Sequence, residues 1–256
     1  MKISDVVEYL SGKAPFDTAM SYDNVGLLVG DSDVELTGIC CCLDITHGII
    51  SEAIDKKANL IVSHHPVIFD GLKSLAEWNP VTELIRNNIA AIAMHTNFDI
   101  APNGVNDTLV ELLEFESAGV LDVTHGNIGY GAICDIALEF SPKSLAEHCK
   151  NKLDLESVRY SRQNRAIKRI AVCCGGGVDR DIMRLARENG CDAIISGDIK
   201  HNFWIEAENC GMTLIDAGHY GTEKSAANLF AKLLTEPFCE VPVFSAEKEC
   251  DPCGYV

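Results

Sequence analysis

Twice in this chain a helix-length segment leads into a short apolar run that ends at serine. The two copies are Lys57-Ala58-Asn59-Leu60-Ile61-Val62-Ser63 and Gly190-Cys191-Asp192-Ala193-Ile194-Ile195-Ser196. No other feature limits the fold as tightly. Strand-length apolar runs that alternate with helical segments need crossover connections, and crossovers build a largely parallel sheet covered by helices. The first copy lies in the series Gly38 to Leu43 (strand), Thr46 to Lys56 (helix), Leu60 to Ser63 (strand), residues 80 to 88 (helix) and Ala90 to Met94 (strand). The second lies in Lys168 to Cys174 (strand), Asp179 to Glu188 (helix), Ala193 to Ser196 (strand), Lys200 to Glu208, Met212 to Asp216 (strand) and the amphipathic helix Thr222 to Leu234. The pattern predicts an α/β protein of two similar α/β units, each a mixed sheet flanked by helices. The first unit is expected over residues 1–124 and 212–256, the second over 125–211, with no domain inserted between them.

Other segments carry weaker signals. Met1 to Leu10 has helical spacing with Ser4 as its N-cap, and residues 22 to 30 form a turn entering a strand. Gly119, Gly126, Gly129 and Gly131 predict turns around short strands. Ile133 to Phe140 reads as a strand, and Ser141-Pro142 as a helix start with proline at the first helical position.

Composition excludes several classes. The chain has 256 residues and a formal net charge of −17. That charge repels phosphate backbones, so nucleic-acid and anionic-membrane binding are disfavoured. Arg159, Arg162, Arg165, Lys168 and Arg169 form the one basic cluster and read as a solvated face. The apolar runs fall far short of the roughly 20 residues that a membrane span needs. The 12 cysteines do not resemble a secreted disulfide framework. Many lie inside predicted strands, where a thiol packs as a small apolar group, and the chain reads as a cytoplasmic protein with reduced thiols. Cys250-x-x-Cys253 stands alone, without the second pair that a zinc site needs. Cys174-Gly175-Gly176-Gly177 lacks the Gly-Lys-Ser/Thr of a phosphate-binding loop and reads as a tight strand-to-helix turn.

The chemistry gathers at strand ends. His64 and His65 follow an apolar strand, and ligands of open α/β sheets bind at the carboxyl ends of strands. His95 and Asp99 follow the next strand. His219 and Glu223 are one helical turn apart, on one face. Four of the eight histidines therefore lie at the ends of three strands, with two carboxylates beside them. Mixed imidazole and carboxylate donors suit zinc, manganese, iron, cobalt or nickel better than calcium or magnesium. Three histidines and two carboxylates exceed what one catalytic zinc takes, and two ions per chain would use them all.

One set of motifs joins these residues. It comprises Asp23-Asn24-Val25-Gly26-Leu27, Leu43-Asp44-Ile45-Thr46, Ser63-His64-His65-Pro66, His95-Thr96-Asn97-Phe98-Asp99, Gly197-Asp198 and Gly218-His219-x-x-x-Glu223. In content and order the set resembles the NIF-three-like family, often named GTP cyclohydrolase I type 2, over about residues 1 to 250. The resemblance implies a dinuclear centre of two divalent transition metal ions held by His64, His65, Asp99, His219 and Glu223. It also implies a ring-shaped homohexamer. His95 and His201 are expected beside the ligands, as proton-transfer or substrate-facing groups. Two function classes are consistent with this set. One is a metal-dependent hydrolase acting on a small nucleotide-like or phosphoester substrate. The other is a non-catalytic, metal-stabilised binding or regulatory module.

Overall fold

The computed structural model describes residues 1–126 and 128–256. In chain order the elements are α1 (Ile3–Lys13), β1 (Gly26–Val29), β2 (Ile39–Cys42), α2 (His47–Asp55), β3 (Leu60–Ser63), α3 (Pro80–Arg86), β4 (Ala90–Ala93), α4 (Thr96–Asp99), α5 (Val105–Leu112), β5 (Ser117–His125) and β6 (Ile128–Phe140). They continue with α6 (Pro142–Lys152), β7 (Arg159–Tyr160), β8 (Ile167–Val172), α7 (Arg180–Glu188), β9 (Ala193–Ser196), α8 (His201–Cys210), β10 (Thr213–Asp216), α9 (His219–Glu223), α10 (Ala226–Thr235) and β11 (Val243–Ser245). Two compact units emerge, one of Met1–Phe98 with Ala226–Cys250 and one of Asp99–Ser225 with Asp251–Val256.

The first unit is built on a five-stranded sheet in the order β1-β4-β3-β2-β11. Strands β11, β2, β3 and β4 are parallel, and β1 pairs antiparallel at the edge. Every residue of β2, β3 and β4 is buried. A parallel strand covered on both faces has no polar side to alternate with, which explains the unbroken apolar runs in the sequence. Cys40, Cys41 and Cys42 belong to this core, and burial pushes the Cys40 thiol up to about 12. The flanking helices start where local chemistry directs. The Thr46 hydroxyl accepts from Ile49 N at the start of α2, and Asn79 accepts from Val81 N ahead of Pro80 in α3. Register then sets where the strand ends lie. Cys42 is level with Ser63, and Ser63 with Ala93, so Asp44, His64 and His95 leave the sheet along one edge.

The second unit has a six-stranded sheet in the order β5-β6-β8-β9-β10-β7. Strands β8, β9 and β10 are parallel, while β5, β6 and β7 pair antiparallel. Val172 is level with Ile195, and Ser196 with Asp216. Cys174, Asp198 and Gly218 therefore also leave one sheet edge. Asp179 caps α7 by accepting from Ile182 N, and Ser141 caps α6 as the sequence predicts.

Mixed sheets flanked by helices are thus the architecture of both units, but several local expectations shift. The boundaries fall at 98/99 and 225/226 rather than 124/125 and 211/212. The cause is strand pairing: β5 pairs with β6, and β10 with β9, which draws residues 99–124 and 212–225 into the second sheet. Helix Thr222 to Leu234 is two helices, α9 and α10, because the chain passes from one unit to the other between them. The glycines near 119–131 do not surround short strands. They lie in and around a hairpin of strands nine and 13 residues long. Gly129 permits close backbone approach there, since a Cβ would stand 1.9 Å from the Asp122 carbonyl oxygen. At the N-terminus, Lys2 rather than Ser4 precedes α1, and its N–H donates to Asp5 at 2.8 Å. Among the described residues, no helix is long and apolar enough to cross a membrane.

Candidate metal centre

Three imidazoles converge in the first unit. His64 and His65 follow β3, and His95 follows β4. Their ring centroids are 5.2, 5.2 and 5.5 Å apart, and one ligand nitrogen from each lies within 4.8 Å of the others. His64 is fully buried, and the other two are partly so. Each ring is oriented through Nδ1. His64 Nδ1 donates to the Met94 carbonyl at 2.8 Å, His65 Nδ1 to Asp44 at 2.8 Å, and His95 Nδ1 to Asp23 at 2.9 Å. A carbonyl or carboxylate only accepts, so Nδ1 carries the proton and Nε2 carries the lone pair. This is how proteins prepare histidine for a metal ion.

The anchors are themselves fixed. Asp23 also accepts from the Thr96 and Asn24 backbone N–H groups, at 3.0 and 2.8 Å, and its side chain is fully buried. Burial alone would raise its pKa, but the hydrogen bonds from His95 and Thr96 outweigh burial and hold it at about 2. Asn97 turns the chain after β4 by accepting from His95 N at 3.0 Å and donating to the Ala14 carbonyl at 2.8 Å. Nearby, Glu249 accepts from the Leu43 backbone N–H. Burial pushes this carboxyl up to about 7.

Carboxylates dominate the second unit. His219 opens α9 and Glu223 closes it, with His219 Nε2 3.0 Å from Glu223 Oε2. His219 Nδ1 donates to Asp198 at 2.9 Å. Nε2 faces a buried carboxylate, an arrangement that a shared proton or a shared cation must hold together. Two donors bonded to one zinc at about 2.1 Å stand roughly 3–3.4 Å apart, which matches this pair. Backbone shape makes room for it. Gly175 has φ +55°, and a Cβ there would lie 2.2 Å from Glu223 Oε1 and 3.2 Å from His219 Nε2. No side chain fits at that position. The sequence treats the glycine run as a turn; the structure adds that the turn forms a wall of the His219–Glu223 pair.

Asp99 belongs to the same unit, and one of its carboxylate oxygens lies within 4.8 Å of one from Glu223. The Cys174 thiol donates to Asp99 Oδ1 at 3.2 Å, Asn106 donates to the Asp99 carbonyl at 3.1 Å, and Cys174 N donates to Asn106 at 2.9 Å. Burial, then the Asp99 and Glu223 charges, push the Cys174 thiol well above its ordinary range, so it stays a donor. Thr222 ties α9 to the same segment by accepting from Gly175 N at 3.0 Å. His201 behaves differently: it is exposed at the start of α8, and no hydrogen bond or ion pair among the described residues joins it to Asp198, His219 or Glu223.

The structure therefore gathers His64, His65 and His95 in one unit, and Glu223 with both His219 and Asp99 in the other. It draws His95 into the imidazole cluster, although the sequence sets His95 apart from the ligands. Sequence reasoning assigns no role to Asp23, Asp44, Asp198, Cys174 or Asn106. Position just past a strand end is the signal that could have found Asp44, Asp198 and Cys174. The donor set suits a divalent transition metal: imidazoles with Nδ1 satisfied, buried carboxylates, and a wall that only glycine allows.

Residues 1–252 match the family described as Duf34/NIF3 (NGG1p interacting factor 3). A Clostridium perfringens protein called GTP cyclohydrolase 1 type 2 homolog is 32% identical over 230 residues, covering 87% of each chain. Its namesake from Clostridium acetobutylicum is 29% identical and covers 98% of each. A crystal structure of a Staphylococcus aureus hypothetical protein superposes with a TM-score of 0.90 at 31% identity, covering 100% of this chain and 99% of that one.

Proposed function

This chain belongs to the Duf34/NIF3 family, and from that membership and its donor set we propose that it is a metal-dependent hydrolase acting on a small nucleotide-like or phosphoester substrate. His64, His65, Asp99, His219 and Glu223 hold two divalent transition metal ions in this reading. One observation carries it. Four imidazoles, those of His64, His65, His95 and His219, each spend Nδ1 on an oxygen acceptor and keep Nε2 for bonding. A histidine retained only for packing has no need of this arrangement; three of the four support ligation, and His95 keeps its Nε2 for a proton.

Held by these residues, divalent ions would supply Lewis acidity for attack by water near neutral pH. The chain's own residues do the rest. His95 moves a proton: its Nε2 accepts while Asp23 stabilises the imidazolium that forms. Asp44 and Asp198 keep His65 and His219 in the ligating tautomer. The buried Cys174 thiol holds the Asp99 carboxylate by donating to it. His201 faces the substrate in this reading, and six chains form a ring.

The test has two parts. Metal analysis of freshly purified protein is expected to find two transition metal ions per chain, and His64→Ala to lower that number. A panel of nucleotides and phosphoesters, assayed with manganese or zinc, is expected to contain a substrate whose turnover His64→Ala abolishes. Two bound ions with no turnover across the panel would leave the binding-module reading in its place. A protein that neither contains nor takes up transition metal would overturn both. Light scattering checks the ring, with six chains per particle as the expected mass.

A further inference from the structure

Asp216 is the last residue of β10 and is 4% exposed. It is not a ligand in the proposed centre, yet its carboxylate accepts from three separate segments. Oδ1 takes the Gly218 N–H at 3.0 Å, and Oδ2 takes the Ile199 N–H at 3.1 Å and the Arg159 guanidinium. Two of these segments are the ones that matter to His219. Ile199 follows Asp198, and Gly218 precedes His219. Both turns are conformationally demanding: Asp198 has φ +49°, outside the range a non-glycine residue normally adopts, and Gly218 has φ +77°. They also touch, since a Cβ on Gly197 would lie 2.5 Å from the Gly218 carbonyl carbon and 2.5 Å from His219 N.

The fourth side of this frame is aromatic. The Arg159 guanidinium stacks 5.6 Å from the centre of the Trp204 ring, and Trp204 Nε1 donates to the Ile199 carbonyl at 3.1 Å. Strand β7 exists only as Arg159 and Tyr160 paired to β10, with Arg159 level with Asp216. Arg159, Asp216, Ile199 and Trp204 thus close a ring of contacts behind the two turns.

We infer that Asp216 is the positioning residue of the Asp198–His219 pair. Its carboxylate holds both turns at the separation that sets the 2.9 Å hydrogen bond from His219 Nδ1 to Asp198. Asp198 accepts the His219 proton directly, and the Asp216–Arg159 pair behind it sets where both residues stand. A buried carboxylate with three donors from three segments suits that task, because each ionised hydrogen bond is stronger and more directional than a neutral one. Asparagine offers one accepting oxygen in place of two, so Asp216→Asn must release one turn.

The inference rests on the metal reading only for its consequence, and the experiment separates the two. Histidine-ring nitrogen NMR on the full-length, metal-free protein reports the His219 tautomer directly, with His219→Gln assigning the signal. The wild-type protein is expected to show Nδ1 protonated, with a further proton shared between Nε2 and Glu223. Asp216→Asn and Asp198→Asn are each expected to turn this state into a mixture of tautomers, and the double variant to look like either single one. Zinc titration is expected to give about tenfold weaker binding for Asp216→Asn, the size of effect seen when a ligand loses its orienting partner. Arg159→Lys, which keeps the charge, is expected to restore most of what Arg159→Ala loses. An unchanged tautomer in a folded Asp216→Asn protein would overturn the inference. A changed tautomer in a protein that binds no zinc would keep it and overturn the metal reading.

Discussion

The two units use the carboxyl edge of a parallel sheet in the same way but arm it differently. In the first, β2, β3 and β4 lead to Asp44, His64–His65 and His95. In the second, β8, β9 and β10 lead to Cys174–Gly177, Asp198 and His219. The first edge delivers imidazoles straight from strand ends, and their aim is set by carboxylates and one carbonyl. The second delivers His219 and Glu223 from the short helix α9, with left-handed backbone at Gly175, Asp198 and Gly218 beside them. A strand end aims a side chain by register alone. A helix start must be turned into place, which is why left-handed backbone stands directly beside the donors of the second edge.

The largest expected effect tests whether donor chemistry really differs between the two sets. His64→Ala and Glu223→Ala should each weaken zinc binding by more than the roughly 100-fold that loss of an orienting partner costs. Calorimetric titration with zinc and with manganese separates them. Loss of His64 should penalise zinc more, and loss of Glu223 should penalise manganese more, because imidazole favours the former and carboxylate the latter. Equal penalties for both metals would erase the distinction.

Gly175→Ala probes the backbone half of the contrast. The left-handed conformation and the contact with Glu223 together should cost about 2–5 kcal/mol in denaturant unfolding. An alanine tolerated within about 0.5 kcal/mol would show that the second edge is not built on glycine.

Two titrations sharpen the first edge. Glu249 titrates near 7 rather than 4.5, so its neutral form is favoured by folding. Stability from this group is present below pH 4.5 and is lost as pH rises through about 7, by about 3 kcal/mol. Glu249→Gln in metal-free protein should remove that slope. Asp23 has the opposite sign. Its pKa of about 2, against an ordinary 3.8, gives stability that is present above pH 3.8 and lost as pH falls through about 2. Asp23→Asn should cost about 2 kcal/mol at neutral pH and nothing below about pH 2. Thermal unfolding across pH checks both, and a slope that survives either substitution belongs to another group.

Much of the fold was legible in the sequence, for local reasons. Fully apolar runs such as Leu60-Ile61-Val62 mark parallel strands, and Ser141-Pro142 and Thr46 mark helix starts, because capping and two-faced burial depend on near neighbours in sequence. The positions of His64, His65, His95 and His219 at strand ends come from the same runs. Residues whose roles depend on distant partners were not legible. Asp23 meets His95 across 72 positions, and Cys174 meets Asp99 across 75. The glycines of 119–131 misled because glycine permits a close backbone approach inside a hairpin as readily as it permits a turn.

By itself, then, the sequence determined the alternation of strand and helix, the existence of two sheets and the residue types at their carboxyl edges. These depend on periodicity and on contacts within a few residues. Tertiary structure alone decided which unit owns residues 99–124 and 212–225, which nitrogen of each histidine carries the proton, and that Asp216 stands behind His219. Those outcomes depend on strand register and on hydrogen bonds between segments far apart in the chain, and no local pattern encodes such pairings.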